Sequence, residues 1–347
     1  MPKVSIVMPV YNSEKYVVDA IHSILNQTYT DFELIIINDC STDRSEEAIN
    51  SICDDRIVYI RNDVNKGFLY GLNKGIEIAQ GEYIARLDDD DLSYPERIEK
   101  QVKYLDDHTN VVLLGTRRDL LLNNQVVNSE YVPIYTPNQI KFSLLFGNYL
   151  IAHSSFMMRK ELLKRNNIQY EIFKQTPDYH MLLELWKYGE IDCLDEVLIT
   201  WRIHPQQSTQ IRSKSMKMEE EDKTRCIFIN QLDLSKQDKS ILKKAVCREL
   251  VSKQDYQLFT VAFDSFICKC KLDINNKSDK ECIRFIWRNI IRQQRRNFQA
   301  LSAAFNKAYR DCNWLFFNMS GIGFILRCIL HKDKEWIAAL YDYDKEK

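Results

Sequence analysis

The apolar run from Val4 to Val10, with Pro9 near its end, reads as a parallel strand buried on both faces. Beyond it, Val17, Ala20, Ile21, Ile24 and Leu25 recur on one helical face. They predict a helix to about Asn26, capped by Asn12 or Ser13. Glu33 to Ile37 gives a second strand, and Asp43 with Glu46 has the spacing of a capping box for the helix that follows. Ile57 to Ile60, Gly67 to Ala79 and Glu82 to Leu87 continue as strand, helix and strand. Strands alternating with helices at this interval predict an α/β fold with a doubly wound, mostly parallel sheet.

A helix from Pro95 to about Asp106 follows, after which the pattern loosens. Val111 to Gly115 and Leu120 to Val127 read as strands, the second interrupted by a hairpin turn at Asn123-Asn124. Thr176 and Pro177 open another helix as cap and first helical residue, and Val197 to Arg202 is the last strand. After His204-Pro205 the chain reads as helix. The expected organisation is an α/β domain over residues 1–205 and an α-helical region over 206–347.

Charge separates these two parts. Through Pro205 there are 21 Lys+Arg against 31 Asp+Glu, a balance of −10, whereas the rest carries 27 against 18, a balance of +9. The near-neutral total of −1 therefore hides an acidic first part and a basic last part. In the basic part, Ile283, Trp287, Ile290, Ile291, Phe298, Leu301 and Phe305 share one helical stripe, with Arg284, Arg288, Arg292 and Arg295 beside it. Such a helix either lies on an anionic membrane surface with Trp287 at the interface, or packs its stripe against the acidic domain. The most apolar stretch, Trp314 to Leu330, is too short and polar to span a bilayer. The N-terminus enters a strand without a secretory pattern, and the 10 cysteines include no Cys-x-x-Cys pair. Reduced, mostly buried thiols in a cytoplasmic protein are expected.

The chemistry gathers at the predicted strand ends. Asp88 to Asp91 follow directly on the strand from Glu82 to Leu87. Four adjacent carboxylates repel one another, so the cluster is either a solvated turn or a site for a cation; its place at a carboxyl sheet edge favours the cation. Pro9, Tyr11 and Asn12 close the first strand with an aromatic face and an amide, and Asn38-Asp39 closes the second with a carboxylate able to accept a base ring N–H. There is neither Gly-x-Gly-x-x-Gly nor a Gly-Lys-Ser/Thr loop, which excludes the usual dinucleotide and P-loop sites. Gly71 and Gly75 read as close helix–sheet packing, and the loop at Gly67 as a point of backbone approach to a ligand.

Three segments carry a resemblance: Val-Ser-Ile-Val-Met-Pro-Val-Tyr-Asn (4–12), Ile-Ile-Ile-Asn-Asp-Cys-Ser-Thr-Asp (35–43) and Gly-Glu-Tyr-Ile-Ala-Arg-Leu-Asp-Asp-Asp-Asp (81–91). Residues 1 to about 205 resemble glycosyltransferase family 2, whose members are inverting, nucleotide-sugar-dependent enzymes of the GT-A fold. By that resemblance Pro9, Tyr11, Asn12 and Asp39 would hold uridine. Asp88 and Asp90 match the outer positions of the family's DXD motif, Asp88 near ribose or sugar and Asp90 on a Mn²⁺ or Mg²⁺ ion. Asp89 takes the middle position and is counted with Gly67 and Arg86 among the donor-binding residues, while Asp91 ranks below. Asp178 matches the catalytic base, with Pro177 where a glutamate is usual; alternatively it merely complements its helix dipole. Trp201-Arg-Ile-His204 resembles the closing motif, in which the histidine approaches diphosphate or metal; a lone histidine is as often structural. His153 and Arg86 also fall at positions where the family often has the same residues.

The resemblance implies a UDP-sugar donor and a saccharide acceptor, carried on a lipid for a surface glycan; the basic last part suits peripheral contact with an anionic membrane, and no nucleic-acid partner is expected. Two other classes compete: a nucleotidyltransferase, which would carry a basic Gly-rich loop where this chain has Tyr-Asn-Ser-Glu, and a binding module without catalysis.

Overall fold

The first half of the chain alternates as its apolar pattern predicts: β1 Val4–Val10, α1 Val17–Leu25, β2 Phe32–Asn38, α2 Ser45–Asn50, β3 Ile57–Arg61, α3 Phe68–Ile78 and β4 Tyr83–Arg86. A computed structural model describes residues 1–122, 125–127, 136–147, 151–171, 176–207, 214–250 and 252–293. The elements after β4 are β5 Leu92–Ser93, α4 Arg97–Asp107, β6 Val111–Leu122, β7 Gln125–Val127, α5 Pro137–Leu144, a 3-10 turn His153–Ser155, β8 Met157–Arg159, α6 Lys160–Arg165, α7 Pro177–Leu185 and β9 Glu190–Ile203. Four helices follow among the described residues: α8 Lys214–Gln231, α9 Lys236–Val246, α10 Lys253–Lys269 and α11 Lys277–Gln293.

One sheet of the described residues runs in the order β3-β2-β1-β4-β8-β6-β9-β5, with β7 paired to β6. The β3-β2-β1-β4 half is parallel, so the strand order reverses between β1 and β2 on one side and β4 on the other. That reversal leaves a crevice at the carboxyl edge, where α/β sheets take their ligands. β8 is antiparallel to β4 and β6. Every residue of β1, β2 and β4 is buried, as strands covered on both faces must be. α3 lies close on this sheet because it carries glycines there: a Cβ at Gly75 would come within 2.3 Å of Val7 Cγ1, and one at Gly71 within 3.1 Å of Pro9 Cβ.

Several local expectations are corrected. β6 is one strand, not two, because its polar middle finds partners: Arg117 pairs with Asp195 at 2.8 Å, and Arg118 lies over the Trp201 ring. β9 is longer than predicted for the same reason, since its polar first half pairs in parallel with β6. The Asn123-Asn124 turn lies outside the described residues; on either side of it, β6 and β7 pair antiparallel. α1 starts at Val17, past both predicted caps. Asp43 and Glu46 form no capping box: Asp43 accepts from the Ser45 and Glu14 amides, and Glu46 pairs with Arg61. A capping box occurs instead at α5, where Thr136 and Gln139 bond reciprocally behind Pro137.

The chain divides into two compact units, Met1–Ser235 with Phe266–Cys282, and Lys236–Ser265 with, of the described residues, 283–293. In the second unit Trp287 is buried, stacked on Phe259 at 5.4 Å and edge-on to Phe263 at 4.9 Å. It is a core residue of that unit; the stripe residues from Phe298 on are outside the described residues. No helix of the described residues is long and apolar enough to cross a membrane. The eight described cysteines are free thiols, and only Cys270 and Cys282 are buried, fewer than expected.

Candidate active site

Three loops meet at the carboxyl edge of β1, β2 and β4. After β1, Tyr11 is half exposed and presents an aromatic face, while its backbone N–H donates to Asp89 Oδ2 at 3.2 Å. Asn12 takes a left-handed φ of 53°, and its Oδ1 accepts from the Thr42 amide at 2.8 Å, tying this loop to the one after β2. Ser13 extends the tie, its hydroxyl donating to the Asp89 carbonyl oxygen at 3.1 Å. Pro9 packs under Gly71 of α3.

Asp39, after β2, is buried and turned toward the segment leading to α3. Its Oδ1 accepts from Asn62 Nδ2 at 2.7 Å and from the Lys66 amide at 2.8 Å, and its Oδ2 accepts from the Gly67 amide at 2.6 Å. The carboxylate thus shapes the Gly67 loop, which sequence had singled out separately. Gly67 itself, at φ 90°, is the N-cap residue of α3.

The loop after β4 is the most acidic part of the site. Arg86 is buried beneath it, pairing with Asp88 and lying 5.2 Å from the centre of the Phe68 ring. Asp88 Oδ2 accepts from the Ser154 hydroxyl at 2.8 Å, and Ser154 also contacts Asp91 Oδ2. Asp90 Oδ2 lies 2.9 Å from His204 Nε2. Arg202, at the end of β9, donates from Nε to the Asp90 carbonyl oxygen at 2.9 Å and from its amide to Asp91 Oδ1 at 3.0 Å. Arg97 on α4 supports the floor by donating to the Arg86 carbonyl oxygen at 2.7 Å. Burial, with the Arg86 charge adding to it, lowers the Arg97 guanidinium to about 9.

Oxygens of Asp88, Asp90 and Asp91 lie within 4.8 Å of one another. Burial, and then the neighbouring carboxylates, push Asp91 well above the usual carboxylate range. Burial and Asp88 raise Asp90, against the opposing effect of His204. An all-oxygen trio of crowded carboxylates suits a hard divalent cation, and the residues present fit one. Asp89 points to the Tyr11 amide instead, and burial followed by the charges of Asp90 and Asp88 raises it as well. Asp91 and Ser154 are the members that sequence reasoning ranked low or missed. Their signal was present, in the fourth aspartate and in the Ala-His-Ser-Ser run around His153.

Asp178 is in the first turn of α7, partly exposed. Thr176 is the N-cap residue as predicted, but its hydroxyl makes no capping bond. Asp178 and Asp88 both act on Tyr170: burial raises that phenol, Arg86 opposes the rise, and the two carboxylates add to it. The Tyr170 hydroxyl is 2.9 Å from His153 Nε2, and Asn73 holds the Tyr170 backbone through both its N–H and its carbonyl at 2.8 Å. Tyr170 therefore lies within electrostatic reach of both Asp178 and Asp88.

Residues 5–166 match the model of Glycosyl transferase family 2. An uncharacterized glycosyltransferase of Haemophilus influenzae is 31% identical over 60% of this chain and 68% of its own length. A second uncharacterized glycosyltransferase, from Methanocaldococcus jannaschii, is 34% identical over 62% of this chain and 76% of its own. Among solved structures, Staphylococcus aureus TarS 1–349 in complex with UDP-GlcNAc superposes with a TM-score of 0.59 at 18% identity, covering 89% of this chain and 91% of that one. The mannosyltransferase PcManGT from Pyrobaculum calidifontis, in complex with GDP-Man and Mn²⁺, does so with a TM-score of 0.54 at 14% identity, over 89% and 88% of the two chains. The shared architecture is the GT-A fold.

Proposed function

Because this chain belongs to glycosyltransferase family 2, we propose that it moves a sugar from a UDP-sugar to a saccharide hydroxyl with inversion at the anomeric carbon. The observation that carries the reading is the convergence of Tyr11, Asp39 and the Asp88/Asp90/Asp91 trio on one carboxyl sheet edge. The similar TarS and PcManGT structures hold UDP-GlcNAc and GDP-Man, so a nucleotide sugar suits the fold. The choice of uracil rests on this chain's own residues. Tyr11 offers a stacking face, and Asp39 Oδ2, with one bond to the Gly67 amide, retains a lone pair for the uracil N3–H.

Asp88, Asp90 and Asp91 would hold a divalent cation, Mn²⁺ or Mg²⁺, which when bound neutralises charge on the departing diphosphate. Arg86 pairs with Asp88 and His204 lies against Asp90, so each carboxylate is aimed by a fixed neighbour. Asp178 takes the proton of the acceptor hydroxyl as that oxygen's electron pair forms the new bond to the anomeric carbon. The old bond breaks on the opposite face, its electron pair leaving with UDP. An α-linked donor then gives a β-linked product. Base catalysis of this kind contributes about 10²–10⁴-fold.

The basic balance beyond Pro205 suits a cytoplasmic enzyme that rests on an anionic membrane surface, where a lipid-carried acceptor would be presented. Hydrolysis of UDP-sugars without acceptor tests the core of the reading. Turnover should stop on chelation and return with Mn²⁺. Nucleotide binding without any turnover would leave a binding module and overturn the proposal.

A further inference from the structure

We propose that Arg225, on α8, is a positioning residue for Asp178 and acts through Tyr179. This rests on the reading of Asp178 as the base. The turn that carries Asp178 opens with Pro177, whose fixed φ suits a first helical position, but it lacks a side-chain cap. Thr176 supplies no side-chain cap, and Pro177 has no N–H. A tether lies at the residue next to Asp178 instead. The Tyr179 hydroxyl donates to the Leu144 carbonyl oxygen at 2.5 Å and accepts from Arg225 Nε at 3.2 Å.

Arg225 is itself fixed. It is buried, with Nη2 bonded to Glu221 at 2.6 Å and Nη1 to Asp222 at 3.0 Å. Gly147 lies against the same guanidinium: its φ is +76°, and a Cβ there would come within 2.6 Å of Arg225 Nη2. One buried cation thus joins the end of α5, the turn beyond it and the base-bearing turn of α7. The planar fork serves the phenol and the two carboxylates from three separate nitrogens; lysine would keep the charge and lose that spacing. Burial pushes the Glu221 carboxyl up, and the charge of Asp178 adds to this against Arg225 and Lys217, which brings α8 within electrostatic reach of the base. Asp178 and α8 both lie beyond residues 5–166, the stretch that matches the family model.

The test uses the full chain with Asp178 or with Asp178→Asn, each carrying Arg225→Met, Arg225→Lys or Tyr179→Phe. The assay is Mn²⁺-dependent hydrolysis of whichever of UDP-GlcNAc, UDP-glucose and GDP-mannose the wild type turns over fastest. Tyr179→Phe keeps the ring, so it remains informative if the arginine variants fold poorly. In the Asp178 background, kcat should fall about tenfold or more for Arg225→Met and severalfold for Tyr179→Phe, at unchanged donor KM, with Arg225→Lys failing to restore it. In the Asp178→Asn background neither change should cost more than about twofold, because the route through the base is already lost. Equal losses in both backgrounds, or a loss confined to KM, would overturn the positioning role while leaving Asp178→Asn slow. Wild-type turnover by Asp178→Asn alone would overturn the base reading, and this proposal with it.

Discussion

His204 Nε2 lies 2.9 Å from Asp90 Oδ2, joining the residue just past β9 to the acidic loop after β4, 114 positions earlier in the chain. Together with the two bonds from Arg202 to the same loop, this contact fixes where Asp90 and Asp91 point. Partners that orient a metal-binding carboxylate are worth about 10–100-fold in metal affinity when removed. His204→Ala should therefore weaken Mn²⁺-dependent UDP binding by that order, measured by calorimetry. Unchanged Mn²⁺ affinity would mean that the histidine is only structural.

A cation at the aspartate loop would compete with protons for the same carboxylates. Burial and mutual repulsion raise the Asp90 and Asp91 carboxyls above their unfolded values, so the native state holds these protons more tightly than the unfolded chain does. Their contribution to stability is then fully present below the unfolded carboxylate pKa and is lost as pH rises through the folded values. A cation relieves the same repulsion when the protons have gone. The thermal shift produced by Mn²⁺ should be larger at about pH 8 than at about pH 5.5, because the ligands must be deprotonated to bind. Equal shifts at both would argue that the trio is not the cation site.

Asp39 has a structural duty besides the one proposed with uracil. Asp39→Ala would leave Asn62 and the Lys66 and Gly67 amides without their acceptor. A loss of about 1–3 kcal/mol in urea unfolding is expected, together with weaker UDP binding. Calorimetry of the wild type with Mn²⁺ should also find UDP bound more tightly than GDP. Equal affinity for the two would remove the uracil-reading role.

Attraction to a membrane surface should depend on charge and not on Trp287, which is buried. The full chain should co-sediment with vesicles containing anionic lipid but not with neutral ones, and should be released as salt is raised. Trp287→Phe should leave this binding intact. Indifference to lipid charge would place the enzyme free in solution.

The parallel half of the fold was legible because fully buried strands leave nearly continuous apolar runs, broken in Val4–Val10 only by Ser5 and unbroken from Leu34 to Ile37. The second half was harder to read because its strands are half polar. Arg117 and Arg118 interrupt the pattern of β6, and only their partners Asp195 and Trp201, far along the chain, show why a strand tolerates them. In the site, the aspartate run announced itself. Ser154, by contrast, matters through one hydroxyl set between Asp88 and Asp91, a placement that no local pattern encodes. Asp39 was found for its position at a strand end, yet its bonds to the Gly67 loop depend on how two distant loops fold together.

In the proposed mechanism donor binding belongs to the aspartate loop and proton transfer to Asp178, so one substitution can separate them. Asp178→Asn does so in one preparation measured twice. Calorimetry should give UDP affinity with Mn²⁺ near that of the wild type, while turnover falls by about 10²–10⁴-fold, since a base acts in the transition state and not in donor binding. Retention of most of the activity, or a loss of UDP binding in step with turnover, would mean that Asp178 is not the base.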